Sequence, residues 1–113
     1  MENENYIRHH EALINAMNKI ARSPVADYVR ELYLYGSFCR GNYKWDSDID
    51  LLLSLDAECK EKHHKDIVLL KGELAMDDVD AVEVDLKVVF DDEWKNNKML
   101  YYQTVQREGK KLW

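Results

Sequence analysis

The 113-residue chain has few of the features that mark membrane, secreted or low-complexity proteins. No apolar run approaches the roughly 20 residues that span a bilayer, so a membrane role is not expected. A single proline and four glycines leave no linker and no low-complexity tract. The start, MENENYIRHH, lacks the basic and apolar segments of a secretory signal. These absences together favour a cytoplasmic protein.

Cysteine is also scarce, and basic residues are outnumbered by acidic ones. Cys39 and Cys59 are too few for a disulfide framework or a zinc site, and we expect two free thiols. The net charge is −6, and no block of lysine or arginine forms a basic stripe that would follow a nucleic-acid backbone. We therefore expect protein or small-molecule partners, with no direct contact to nucleic acid and none to a membrane.

Apolar residues at spacings of three, four and seven predict amphipathic helices over residues 6–22 and 60–76. A third helix is predicted over about 95–108, with Gly109 as its C-cap. The inward stripe of the first would be Ile7, Ile14, Met17 and Ala21, and that of the second Ile67, Leu70 and Leu74.

Two pairs of histidines, His9-His10 and His63-His64, lie within or beside these helices. Neighbouring residues on a helix point about 100° apart, so an adjacent pair does not readily share one metal ion. We expect all four histidines to lie on the solvent-exposed surface of the helices.

Alternating apolar and polar residues predict three strands, over 31–35, 48–55 and 81–90. Helices alternate with these strands along one short chain. The pattern predicts an α+β fold, an α/β sandwich in which a small mixed sheet of three or four strands is covered by helices. The length predicts a single domain over residues 1–113.

Acidic residues lie directly beside the most apolar strand. Asp48 and Asp50 project from one face of that strand because side chains alternate along it, and Asp85 lies on the polar face of the third strand. If the two strands are neighbours, three carboxylates meet and repel one another unless a cation neutralises them. Mg²⁺ is suited to this, and two Mg²⁺ ions about 4 Å apart are the common arrangement for displacement at phosphorus.

A turn that could hold phosphate precedes these carboxylates. Gly36 permits close backbone approach, and Ser37 begins a short helix whose N–H groups and hydroxyl are possible donors to an anion. Arg40 could reach the same phosphates, or it could form a surface ion pair. Taken alone, a Gly-Ser turn is weak evidence for phosphate binding.

These motifs together resemble a known family. A Gly-Ser pair, ten intervening residues, an Asp-Ile-Asp and a later aspartate resemble the signature of nucleotidyltransferases of the DNA polymerase beta superfamily. The fuller strings GSFCRG and SDIDL are similar to the minimal nucleotidyltransferase (MNT) proteins, and the resemblance spans residues 31–90. One departure is Cys39, which occupies a position where a smaller residue is expected. The resemblance implies a nucleotidyltransferase fold.

The resemblance also implies roles for individual residues. Gly36 and Ser37 would grip a triphosphate, the paired aspartates would bind two Mg²⁺ ions, and the third aspartate would complete one metal site and help to activate an acceptor hydroxyl. The candidate catalytic and metal-binding residues are Asp48, Asp50 and Asp85, and the candidate nucleotide-binding residues are Gly36, Ser37, Arg40 and Ser47. Ser47 has the alternative role of capping the turn before the strand.

Two further pairs of residues keep two interpretations each. Tyr43 and Trp45 either stack on a nucleobase or pack to anchor their loop. Glu83 and Lys87 lie close enough to Asp85 to take part in the site, but they are equally well explained as solvated residues.

The function implied is transfer of AMP from ATP to an acceptor hydroxyl, with release of pyrophosphate. Because MNT proteins often pair with a small helical HEPN-type ribonuclease toxin, the resemblance suggests an antitoxin that adenylylates a tyrosine of such a toxin. An acidic chain also suits a basic RNA-binding partner. Two alternatives stay open: a homodimeric adenylyltransferase acting on a small molecule such as an aminoglycoside, and a non-catalytic antitoxin that only binds its partner.

Overall fold

Five α-helices and four β-strands occur in the described part of the chain, which is residues 3–75 and 81–113 of a computed structural model. In chain order they are α1 (Glu4–Arg22), β1 (Val29–Tyr35), α2 (Gly36–Arg40), β2 (Ile49–Leu55), α3 (Glu58–Lys62), α4 (His64–Ala75), β3 (Val84–Phe90), α5 (Leu100–Glu108) and β4 (Lys110–Lys111). Short 3₁₀ turns cover Ala26–Tyr28 and Glu93–Asn96. None of the helices described is both long and apolar enough to cross a membrane.

The strands form one mixed sheet in the order β3-β2-β1-β4. β1 is antiparallel to both β2 and β4, whereas β2 and β3 run parallel. A parallel pair needs a long crossover, and α3 and α4 lie in the connection between β2 and β3. The sheet confirms the predicted α+β class with a small mixed sheet. The two-residue β4 was not predicted as a separate strand.

The sheet has two apolar faces because the central strand β2 is buried almost throughout. Ile49, Leu51 and Leu53 belong to one core cluster together with residues of α1 and α4. Leu52 points to the opposite face and packs in a second cluster with Val105 of α5. Successive side chains of β2 point to opposite faces of the sheet, so helices pack against this strand on both sides.

The predicted inward face of α1 is wrong. The residues that α1 buries are His9, Leu13, Ala16 and Ile20. The side chains of Ile7 and Ile14 are 43% and 44% exposed. Both sets of residues have helical spacing, and periodicity alone does not choose between two overlapping stripes. The prediction treated histidine as a surface residue and so selected the stripe that lacks one.

Other boundaries differ by a few residues. The predicted helix 60–76 is divided into α3 and α4 at His63, and residue 76 lies outside the described residues. Its inward residues are confirmed, since Ile67, Leu70 and Leu74 are all buried. The last helix begins at 100 rather than 95, and its cap residue Gly109 donates a backbone hydrogen bond to the Val105 carbonyl at 2.8 Å. The two cysteines are free thiols.

Candidate active site

Three side chains form a row across the sheet at the start of β2. Asp50 lies opposite Tyr35 in the antiparallel pairing and opposite Asp85 in the parallel pairing. Residues paired in register point to the same face, which here is the face covered by α5. The strands that carry the two aspartates are therefore neighbours, and we call Tyr35, Asp50 and Asp85 the carboxylate row.

The turn after β1 packs directly against this row. Gly36 has a φ of +83°, and a Cβ atom built on it would lie 2.2 Å from Oδ2 of Asp50. Only glycine accepts both this backbone angle and this contact without displacement. The α2 helix, with Ser37 in its first turn, follows at once. The glycine of the predicted phosphate turn and the first carboxylate of β2 are thus in van der Waals contact.

The electrostatics of the row favour a bound cation. Burial raises the pKa of Asp50 above its ordinary value of 3.8, and repulsion by Asp85 and then Asp48 raises this pKa further. The positive charges of Lys87 and Arg40 act in the opposite direction. Bringing these carboxylates together therefore costs free energy, and the charge of a bound metal ion would offset that cost.

Lys87 lies over the same row. Its Nζ atom is 2.8 Å from Oδ2 of Asp85 and 5.1 Å from the centroid of the Tyr101 ring on α5. Burial opposes the charge of Lys87, but the hydrogen bond to Asp85 and the nearby hydroxyl of Tyr35 raise its pKa overall. The Tyr35 hydroxyl is itself buried, has no hydrogen bond of ordinary geometry, and has a pKa raised to about 12 chiefly by burial.

The loop before β2 is held by a histidine that was predicted to be exposed. His9 is completely buried: its Nδ1 is 3.0 Å from the Asn5 carbonyl oxygen and its Nε2 is 2.9 Å from the Ser47 carbonyl oxygen. The centroid of its ring also lies 5.6 Å from that of the Phe38 ring and 4.8 Å from that of the Tyr43 ring. The prediction of a solvated His9 is wrong, whereas His10 is exposed as expected. Spacing to the buried residues of α1 was the signal that could have identified His9.

Two candidate nucleotide-binding residues have partners within the protein. The Ser47 hydroxyl accepts a hydrogen bond from the backbone N–H of Lys44 at 2.8 Å, which is the turn-capping role considered from sequence. Arg40 forms an ion pair with Glu108 of α5 at 2.8 Å. Because the Arg40 side chain is 44% exposed, this ion pair does not prevent the guanidinium from reaching an anion.

The two loop aromatics differ in their environments. Tyr43 packs edge-on against Phe38 with ring centroids 4.8 Å apart, which is the anchoring role. Trp45 is 54% exposed, and the guanidinium of Arg8 lies 4.4 Å from its ring centroid. Of the two, Trp45 is the more exposed, and the Arg8 guanidinium lies over its ring.

A cavity of about 380 Å³ beside β3 is lined by Asp48, Glu83 and Asp85 and by the end of α4, but Asp50 and the Gly36 turn do not line it. A larger cavity of about 660 Å³ lies at the opposite end of β3, around Phe90 and Trp94. We place the candidate active site at Asp50, its neighbours Asp48 and Asp85, and the Gly36 turn, because the larger cavity contains none of these residues and the smaller one contains only Asp48 and Asp85.

The donor set fits Mg²⁺ that is shared with a ligand. All three candidate donors, Asp48, Asp50 and Asp85, supply hard carboxylate oxygens. Among residues 3–75 and 81–113, no three His, Cys, Asp or Glu side chains converge into a closed metal cage. Mg²⁺ commonly takes one or two carboxylates together with substrate phosphates and waters, so a closed protein cage is not required. Paired strand carboxylates beneath a glycine turn define a phosphoryl-transfer class of site.

The model of the nucleotidyltransferase domain family matches residues 14–107. The chain therefore belongs to the nucleotidyltransferase domain family. No curated protein sequence matches the chain significantly.

Solved structures with the same fold agree with this assignment. A candidate nucleotidyltransferase from Sulfolobus solfataricus is 23% identical with a TM-score of 0.63, and the match covers 97% of this chain and 84% of that one. A toxin-antitoxin solved with AMP-PNP is 24% identical with a TM-score of 0.52, covering 88% and 71%. A mutant of the toxin-antitoxin MntA-HpeT is 23% identical with a TM-score of 0.53, again covering 88% and 71%. The nucleotidyltransferase fold is confirmed.

Proposed function

We propose that this protein is a Mg²⁺-dependent nucleotidyltransferase that transfers AMP from ATP to an acceptor hydroxyl and releases pyrophosphate. The observation that carries the proposal is the position of Asp50, which is paired in register with Asp85 and lies in contact with the Gly36 turn. Membership of the nucleotidyltransferase domain family supports the reaction class. The contact between turn and carboxylate would bring triphosphate and metal ligands to one point.

In this proposal each group has a defined task. Gly36 and Ser37 hold the triphosphate, Asp48 and Asp50 bind the metal ions, and Asp85 completes one metal site. Bound Mg²⁺ would neutralise phosphate charge and lower the pKa of the acceptor hydroxyl. Asp85 takes the proton of the acceptor hydroxyl while the oxygen of that hydroxyl forms a bond to the α-phosphorus. The bond to the bridging oxygen of pyrophosphate breaks, and pyrophosphate leaves with that electron pair.

We also propose that the acceptor is a tyrosine of a helical HEPN-type toxin, so that this protein acts as a cytoplasmic antitoxin. Two of the structures with the same fold are toxin-antitoxin complexes, and one of them was solved with the ATP analogue AMP-PNP. The net charge of −6 is suited to a basic RNA-binding partner. The assignment of the acceptor rests on the MNT resemblance of GSFCRG and SDIDL.

The test is the intact mass of co-expressed partner protein after incubation with Mg²⁺ and ATP. Wild-type protein should add one or more AMP units. The double variant Asp48→Ala, Asp50→Ala should add none. Asp46→Ala is the matched control, because it removes a carboxylate from the loop that carries Asp48 but leaves the three proposed metal ligands in place, and it should keep the transfer.

The alternatives give different results in the same experiment. If no mass is added and the double variant still neutralises the toxin, the protein is a non-catalytic antitoxin. If pyrophosphate appears with a small-molecule acceptor but not with the partner protein, the small-molecule alternative is correct.

A further inference from the structure

One cation of the chain already occupies the carboxylate row. The Nζ atom of Lys87 is 2.8 Å from Oδ2 of Asp85, and the Lys87 side chain is only 31% exposed. Lys87 lies two residues beyond Asp85 on β3, so both side chains project from the same face of the strand. The ion pair therefore holds the ammonium over the row rather than in solvent.

The surroundings of the ammonium show that it acts on more than one residue. Asp85 is paired in register with Asp50, so an ammonium held at Asp85 also lies beside the Asp50 carboxylate, where its charge opposes the raised pKa. The ring of Tyr101 closes the site from α5, 5.1 Å from Nζ. The positive charge of Lys87 is thus shared by the whole carboxylate row.

We propose that Lys87 is a built-in counter-cation of the carboxylate row, a positioning residue whose ammonium competes with the divalent metal for the Asp85 carboxylate. The inference rests on the proposed function, because it concerns the metal of that same site. It assigns Lys87 a role for which the sequence left a solvated residue as an equal alternative.

Charge and distance set the two cations in competition. Mg²⁺ binds carboxylate oxygens at about 2.1 Å, and the ammonium is 2.8 Å from an oxygen of Asp85. Both cations on this carboxylate would lie roughly 4 Å apart, where repulsion between charges of +1 and +2 is strong in a half-buried site. While it is paired with Asp85, Lys87 therefore weakens metal binding at that carboxylate.

Competition has a consequence for ligand order. Without nucleotide, Lys87 neutralises part of the negative charge and weakens metal binding. A nucleoside triphosphate supplies further metal ligands and a new anionic partner for the released ammonium. Metal and triphosphate should consequently bind together more strongly than either does alone.

The test measures metal binding by titrating Mn²⁺ without nucleotide and following free Mn²⁺ by electron paramagnetic resonance. Lys87→Met keeps the aliphatic stem but removes the charge, and it should bind Mn²⁺ about tenfold more tightly than wild type. Lys62→Met is the control, since Lys62 has a surface ion pair with Glu58 at 3.9 Å and the same change in net charge. Its Mn²⁺ affinity should equal that of wild type.

A second measurement does not depend on a substituted protein. In wild type, the ¹⁵N-labelled ammonium of Lys87 should exchange slowly with water while it is paired with Asp85. Addition of Mg²⁺ with AMP-PNP should remove that protection.

The outcomes separate the inference from the proposed function. Tighter Mn²⁺ binding by Lys87→Met, together with loss of ammonium protection, supports competition. Equal or weaker Mn²⁺ binding by Lys87→Met, or protection that persists in the metal-loaded protein, overturns the inference and leaves the nucleotidyltransferase intact. If wild type binds no Mn²⁺ even with AMP-PNP present, the proposed function fails as well.

Discussion

The substitution Gly36→Ala tests how the phosphate turn and the metal carboxylates are held together. The added Cβ would lie 2.2 Å from Oδ2 and 3.0 Å from Cγ of Asp50. Side-chain atoms do not approach so closely, so either the Asp50 carboxylate or the turn must move by about 1 Å. A shift of this size in a reacting group costs on the order of 100-fold in rate.

Stability should fall at the same time. A φ of +83° is strained for any residue with a Cβ atom, at a cost of roughly 1–2 kcal/mol. We expect a total loss near 2 kcal/mol, because displacing Asp50 adds to this strain. For a chain of this length that loss lowers Tm by roughly 6–12 °C. Thermal unfolding followed by circular dichroism measures the loss of stability, and AMP transfer well below Tm measures the loss of rate.

Two other glycines provide matched controls. Gly41 has a φ of +87° but nothing within 4 Å of an added Cβ, so Gly41→Ala should lower Tm without the 100-fold loss of rate. Gly72 lies in α4 with open space around it, and Gly72→Ala should leave Tm unchanged or raise it slightly. If Gly36→Ala transfers AMP as fast as Gly41→Ala does, the contact with Asp50 has no role in the reaction.

Three further predictions concern the residues around the row. His9→Ala should lower the free energy of unfolding by about 2–4 kcal/mol, because it leaves two carbonyl groups without their contact and creates a cavity. The control His10→Ala, at an exposed position, should change the free energy of unfolding by under about 0.5 kcal/mol. Urea unfolding measures both. The folded-state pKa of Asp50 is raised above 3.8, so its ionisation destabilises the fold as pH rises above that value. Asp50→Asn should therefore raise Tm above that of wild type at pH 7 but not at pH 3. The same difference in Tm between variant and wild type at both pH values would contradict this. Arg40→Ala should raise KM for ATP severalfold while Glu108→Ala does not; a parallel rise in both would show that their ion pair only supports the fold.

The carboxylate row was predictable because its signals are local. The alternation of the second and third strands places Asp50 and Asp85 on one face of each strand, and the motif order brings the Gly36 turn next to them. Their adjacency was a condition in the sequence argument, and the parallel register of β2 and β3 satisfies it. Because side chains alternate along a strand, the sequence of one strand shows which residues share a face of the sheet, even when the partner strand is unknown.

The support around the row was not predictable in the same way. The burial of His9 depends on the Ser47 carbonyl, which lies 38 residues away in the sequence. The ion pair of Arg40 with Glu108 joins residues 68 apart. Such contacts follow from packing of α1 and α5 on the sheet. The stripe of α1 could have placed His9 on the buried face, but it does not identify the carbonyl that His9 contacts, and it does not pair Arg40 with Glu108.

The opening strand of the site combines two demands that oppose each other. Asp50 is destabilised by burial and by its acidic neighbours, yet the residues that follow it, Leu51, Leu52 and Leu53, are fully buried. Each buried leucine contributes roughly 1.5–3 kcal/mol to stability, and three of them follow Asp50 directly. A loop would relax and let the carboxylates separate, whereas a core strand cannot do so without losing that burial. The fold thus maintains close negative charges by attaching them to a strand that is buried almost throughout, and the positive charges of Lys87 and Arg40 reduce the repulsion at Asp50.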